Sequence, residues 1–199
     1  MKKNKEILIA SSNNGKIKEF EKLLSDFQIY SLSDFNIRDA IEDGESFLEN
    51  AIIKAEHGYK YSHHFTIADD SGLVVPELNN EPGIYSARYA GDNASDEQNR
   101  KKLIRKLKLN NYEKLDAFYV CYIVGIKSIN SDPIVSSGKI YGEVKINESG
   151  SGGFGYDKMF YPRDFECSMA EIDLKTKNLI SHRAIAIKNF LSKCKKVIF

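Results

Sequence analysis

The stretch Ile67-Ala68-Asp69-Asp70-Ser71-Gly72-Leu73 sets two adjacent carboxylates between two apolar, β-type segments, Phe65 to Ala68 and Leu73 to Val75. A fold that buries those segments must bring the acids to the edge of its core. Neighbouring side chains on a strand point to opposite faces, so the two aspartates meet different surroundings and have different jobs. Side by side they repel unless a cation or a proton lies between them. Ser-Gly permits a sharp turn just beyond. The stretch therefore reads as a buried strand whose end delivers acid groups into a turn. A surface turn with two solvated acids has the same composition, so the rest of the chain must decide between them.

With 199 residues the chain can bury a full core, and a single domain spanning 1–199 is expected because no linker or repeat interrupts it. Twenty-nine basic residues against 28 acidic ones leave a formal net charge of +1, which argues against a nucleic-acid or anionic-membrane partner. The cysteines, Cys121, Cys167 and Cys194, are three and widely spaced, which suits free thiols in a reducing compartment. The apolar run Ile7 to Ala10 after the basic N-terminus is too short for a signal peptide, and no stretch approaches membrane-spanning length. These features together predict a cytoplasmic protein.

Ile7 to Ala10 predicts a first strand. Ser11-Ser12-Asn13-Asn14-Gly15-Lys16 follows, then a helix with Ile17, Phe20, Leu23 and Leu24 on one face. A polar loop with a lysine at a helix N-terminus attracts phosphate, although this one lacks the spacing of a Walker A loop. Residues 31–45 are polar and irregular, with Asp34, Asp39, Glu42 and Asp43. Ser46 and Glu49 form a capping-box pattern before a helix to about Lys60, with Phe47, Leu48, Ala51, Ile52, Ala55 and Tyr59 buried. Glu49 and Lys54 fall off that stripe: either as a solvated face or facing the acids at Asp69-Asp70.

Glu81-Pro82-Gly83 marks a turn, and Tyr85, Arg88 and Tyr89 suggest an ordered loop. Ser95 to Gln98 caps a further helix. Ala117 to Ile126 reads as a central strand, and Ile134 to Ile146 as one or two more, making the sheet mixed. Gly150 to Asp157 formally contains GxGxxG, but no helical pattern follows, so it is not a dinucleotide fingerprint. Glycines carrying Phe154 and Asp157 can instead let a flat ring approach and stack. Ser181 is a candidate cap for a last helix that opens on His182 and Arg183, an unfavourable place for cations, and a local rule broken there hints at function.

Taken in order and spacing, the stretches Ser11 to Lys16, Ser46 to Ala55, Ala68 to Leu73 with Pro82 to Tyr89, and Gly152 to Asp157 with Ser181-His182-Arg183 resemble the inosine/xanthosine triphosphate pyrophosphatases, the Ham1-like house-cleaning enzymes. The likeness runs from about residue 6 to 192. It implies an α/β fold with an elongated, twisted mixed sheet flanked by helices, and two lobes with a central cleft. It implies a homodimer and Mg2+-dependent cleavage of ITP, dITP or XTP to the monophosphate and pyrophosphate. By resemblance, Ser11, Ser12, Asn13, Asn14, Gly15 and Lys16 hold the triphosphate with Lys54. Asp70 matches the proton acceptor and a metal ligand, Glu49 an acid near the metal, and Ser71 a substrate contact, with Lys16 assisting catalysis. Phe154, Gly155, Tyr156, Asp157, Lys177, His182 and Arg183 match nucleobase-binding positions. The chain departs from the family at Lys158, where proline is usual, and at Ser46, where threonine is usual.

The residue types suit that chemistry. A triphosphate needs cations and amide donors, and a 6-keto purine offers an acceptor where adenine offers a donor. A donor left without its partner costs about 1–3 kcal/mol, roughly tenfold to hundredfold per contact. The competing expectations are a Maf-like nucleotide pyrophosphatase acting on pyrimidine or modified nucleotides, and a non-catalytic nucleotide-binding module. The Phe-Gly-Tyr-Asp and Ser-His-Arg segments argue against the first, and the charge balance argues against the second.

Overall fold

The computed structural model describes residues 6–128 and 130–194. Seven strands are described: β1 (Glu6–Ile9), β2 (Gln28–Ser31), β3 (Thr66–Val75), β4 (Glu81–Pro82), β5 (Lys114–Ile126), β6 (Ile134–Lys145) and β7 (Phe160–Pro162). The helices are α1 (Asn14–Leu23), α2 (Phe47–Ser62), α3 (Asp96–Leu109), α4 (Leu174–Ile180) and α5 (His182–Cys194). Strands hydrogen-bond in the order β2-β1-β3-β5-β6-β7, and β4 adds to β3. β1 runs parallel to β2 and β3, whereas β3–β4 and β6–β7 are antiparallel, so the sheet is mixed and the fold α/β, as the sequence implies.

The chain divides into two compact units, each assembled from separated segments. Unit 1 takes Met1–Asp70, Cys121–Gly138 and Arg183–Phe199; unit 2 takes Ser71–Val120 and Lys139–His182. Unit 1 packs its strands on two clusters. Ile7, Ile9, Ile67 and Ile123 meet Phe20 of α1 and Ile187 and Phe190 of α5, while Leu8, Ala10, Ala68 and Val124 meet Ala51 and Ala55 of α2. Opposite faces of the same strands feed the two clusters, which is why these strands read as continuous apolar runs. Unit 2 has its own cluster, in which Leu73 and Val75 of β3 pack with Leu103 and Leu107 of α3 and with Tyr119, Tyr156 and Phe160. Burying each such side chain stabilises by about 1.5–3 kcal/mol.

Local signals set most boundaries. Ser46 caps α2 by accepting from Glu49 N, and Ser95 with Gln98 makes a full capping box on α3. Asn13 caps α1 three residues earlier than the apolar stripe predicts, because its side chain accepts from Lys16 N. One expectation needs correction. Ser71-Gly72 makes no turn: β3 runs unbroken from Thr66 to Val75, with nine of its ten residues buried, so the ladder on both sides outweighs the freedom of the glycine. Of the one or two strands expected over Ile134 to Ile146, the structure has one, Ile134–Lys145. The last helix opens on His182 as expected; a further helix, α4, was not foreseen and gives way at Ser181, extended at φ −64° and ψ 151°, directly before α5.

Candidate active site

Strand alternation separates the two aspartates of β3. Asp69 is wholly buried and gathers cations from three elements of unit 1. Lys16 Nζ of α1 lies 3.1 Å from Asp69 Oδ2, and Arg183 of α5 donates to the same oxygen from Nε (3.2 Å) and Nη2 (3.0 Å). Lys54 Nζ of α2 donates to the Asp69 carbonyl at 2.9 Å. Burial opposes ionisation of Asp69, but Lys16, Arg183 and Lys54 overcome it and hold the carboxyl well below the usual carboxylate range. Arg183, which the resemblance assigns to the nucleobase, is 1% exposed and also pairs with Glu19.

Asp70 behaves oppositely. Burial and the nearby carboxylates of Glu42 and Asp69 outweigh Lys16 and Lys54, and its pKa rises to about 6. Such a group gives up its proton readily once a further positive charge arrives, which suits a proton acceptor or a metal ligand. Glu42 comes from the irregular loop before α2. Its Oε1 is 2.9 Å from Lys54 Nζ, and that loop is pinned by the wholly buried Asn50, whose Oδ1 accepts from Gly44 N at 2.9 Å. Glu49, assigned to the metal by resemblance, is exposed and accepts from Glu45 N at 2.7 Å. The carboxylate beside Lys54 is thus Glu42. Periodicity could not find it because it lies on no element; the only signal was an acid in an ordered polar loop.

The loop at Ser11 to Lys16 forms the N-terminus of α1. Ser11 Oγ accepts from Asn13 N at 3.2 Å and Asn13 Oδ1 from Lys16 N at 3.0 Å. Ser12, Asn13 and Asn14 are exposed, and Gly15 is half-buried. A helix N-terminus with a lysine in its first turn favours anionic oxygens.

The base-binding candidates of unit 2 form a second group. Asp157 Oδ2 accepts from Lys177 Nζ at 2.8 Å and from Phe154 N at 3.0 Å, and Lys177 Nζ sits 5.0 Å from the centre of the Phe154 ring. Gly153 and Gly155 have φ of +69° and +59°, and a Cβ on Gly153 would strike the Asp157 carboxylate, so only glycine lets this loop close on its acid. Tyr156 is buried, donates from its hydroxyl to Ser86 O (2.9 Å) and from its N to Tyr119 Oη (3.1 Å). The Tyr119 ring stacks on His182 with centroids 4.7 Å apart and planes within 7°. Tyr119 was not foreseen, because on β5 it reads as one more core aromatic. Ser71, the first residue of unit 2, is half-buried.

These features define an α/β protein with carboxylates and cations gathered at a helix N-terminus and a separate aromatic, glycine-built loop. The sequence matches the model of the Ham1 family over residues 7–193, and the chain belongs to that family. It is 46% identical over 184 residues to the dITP/XTP pyrophosphatase of Legionella pneumophila (strain Lens), covering 92% of this chain and 95% of that protein. It is 44% identical to the dITP/XTP pyrophosphatase of Acinetobacter baylyi, covering 92% and 91%. Among solved structures it resembles the Ham1 protein of Staphylococcus aureus (TM-score 0.84, 41% identity, 96% and 99% covered) and that of Coxiella burnetii (TM-score 0.88, 36% identity, 96% and 99% covered).

Proposed function

We propose that the chain is a Mg2+-dependent nucleoside triphosphate pyrophosphatase. It hydrolyses dITP, ITP and XTP to the monophosphate and pyrophosphate, keeping these deaminated purines out of DNA and RNA. The observation that carries the reading is Asp70: a buried carboxyl with its pKa raised to about 6, beside Lys16, Lys54 and Glu42, in a chain closely similar to dITP/XTP pyrophosphatases.

The residues present fit Mg2+. Asp70 and Glu42 offer hard carboxylate oxygens beside the two lysines. That suits an ion that keeps several waters and takes only one or two carboxylates plus substrate phosphates. Asp70 and Glu42 would hold it, the second in place of the exposed Glu49. When bound, the ion neutralises phosphate charge and acidifies water. Asp70, largely ionised at neutral pH, would take the proton of the water attacking the α-phosphorus. Lys16, Lys54 and the amides of Ser12 to Gly15 bind the phosphate oxygens. Asp69 remains ionised and fixes Lys16 and Arg183.

For the base, Phe154 offers a stacking ring. Lys177, oriented by Asp157, and His182, oriented by Tyr119, offer donors to a 6-keto oxygen. Adenine, with an amino group there, leaves those donors unmatched. Gly155, Tyr156 and Ser71 complete the contacts, whereas Arg183 is engaged by Asp69 and Glu19. A cytoplasmic homodimer belongs to the same proposal. The thiols of Cys121, Cys167 and Cys194 are free, which suits a reducing compartment. Among the described residues no helix is long and apolar enough to cross a membrane.

Pyrophosphate release from a panel of nucleoside triphosphates, with and without Mg2+, tests the reading. The expected result is Mg2+-dependent release from dITP, ITP and XTP, with dATP slower by roughly tenfold to hundredfold. Release of orthophosphate in place of pyrophosphate, or no turnover of any purine, overturns it.

A further inference from the structure

One turn of α3 is given over to the glycine-rich loop. Gly155 N donates to Asp96 Oδ2 at 2.7 Å, and Gly155 O accepts from Arg100 Nη1 at 2.8 Å. Both polar groups of one residue are therefore held by side chains four positions apart on one helix face. Arg100 is buried, and its Nε donates to Glu148 Oε1 at 2.7 Å, just ahead of the loop. Asn99, in the same turn, grips the preceding segment: its Oδ1 accepts from Ala90 N (2.8 Å) and its Nδ2 donates to Ala87 O (3.0 Å). That segment contains Ser86, whose carbonyl accepts from Tyr156 Oη.

The core does not need this arrangement. Leu103 and Leu107 already fasten α3 to the unit 2 cluster. What needs it is the loop. Gly155 sits at φ +59° without a side chain to anchor it, and Gly150 and Gly153 also adopt positive φ. Chain of this kind loses much conformational entropy when ordered. If binding had to impose that order, affinity would fall by the same amount. Fixing Gly155 on both sides orders in advance its neighbour Phe154 and, two residues on, Asp157.

We propose that Asp96 and Arg100 are positioning residues for nucleobase selection, acting through Gly155 on Phe154 and Asp157. This rests on the reading of Phe154 to Asp157 as the base site. The step they serve is recognition, not hydrolysis, so their loss is expected in KM and selectivity.

The test compares full-length Arg100→Met, Arg100→Lys, Asp96→Ala and Asp96→Asn for kcat and KM with dITP and dATP, beside thermal midpoints. Arg100→Met and Asp96→Ala are expected to raise KM for dITP about tenfold and to cut the dITP-to-dATP ratio of kcat/KM about tenfold, with kcat within about threefold. Asp96→Asn keeps an acceptor for Gly155 N and Arg100→Lys keeps a donor, so both should recover most of the ratio. A lowered thermal midpoint with an unchanged ratio overturns the proposal and leaves a purely structural fastening. Asp157→Asn, measured in parallel, separates the two layers. If it collapses the ratio while Arg100→Met and Asp96→Ala leave it intact, only the positioning role fails. If none of the three changes the ratio, the base-site reading fails and the positioning role with it.

Discussion

The carboxylate–cation cluster of unit 1 and the glycine-rich loop of unit 2 are built by opposite means. In unit 1, charged side chains are buried and balanced against one another: Asp69 is wholly enclosed and meets Lys16, Lys54 and Arg183, each supplied by a different helix. In unit 2, the backbone is the object being held. Asp157, Asp96, Arg100 and Tyr119 bond main-chain atoms of Phe154, Gly155 and Tyr156. Buried charge gives the first region strong electrostatic leverage, and removing one partner leaves the others stranded. The second region carries less buried charge and fixes the path of a loop. Chemistry at phosphorus suits the first, and discrimination among flat rings suits the second.

Breaking the first region should therefore cost most. Asp70→Asn is expected to lower kcat by about 10²–10⁴, the usual range for loss of a proton acceptor, with circular dichroism unchanged; near-full activity would remove Asp70 from proton transfer. Asp69→Asn strands Arg183 and Lys16, and urea unfolding should show a loss of about 3–5 kcal/mol. A loss below about 1 kcal/mol would mean that the cluster is not the fastening of unit 1. Glu42→Gln should weaken Mg2+ activation by about 10–100-fold, while Glu49→Gln changes it little, as judged by metal titration of activity. The reverse ranking would return the metal to Glu49.

The smallest effect distinguishes the neighbours on β3 by pH. The folded pKa of Asp70, about 6, lies above its ordinary 3.8. Between those values the folded state holds a proton that the unfolded state releases, so metal-free stability falls as pH rises from about 4 to 6. The loss is about 1–3 kcal/mol, and Asp70→Asn should abolish it. Asp69, shifted downward, has the opposite sign: its contribution is complete above the ordinary carboxylate range and is lost only as pH falls below it. Unfolding curves at intervals from pH 4 to 7.5 in EDTA check the slope.

Local codes were legible to different depths. Ser46 and Ser95 announced their helices because a cap is a contact over three residues, complete within the sequence that spells it. The strand through Asp69-Asp70 was legible as a strand but not in its length. Ser71-Gly72 reads as a turn until the ladder on either side is known. The glycine-rich loop was legible as an ordered loop carrying an aromatic ring and an acid, yet its fastenings at Asp96 and Arg100 lie over fifty residues away, where they read as ordinary helix-start and basic-face residues.

The amino-acid sequence alone determined the α/β class, the starts of α2, α3 and α5, and the glycines of the loop, because each follows from propensity, periodicity or capping within a short window. Only the tertiary structure decided which acid faces which cation. Glu42 rather than Glu49 meets Lys54, and Arg183 meets Asp69 and Glu19. It also decided that two adjacent aspartates differ in proton affinity. Those outcomes depend on burial and on charges brought within a few ångströms from distant segments, and Coulomb interactions in a low-dielectric interior respond to distance in space rather than along the chain.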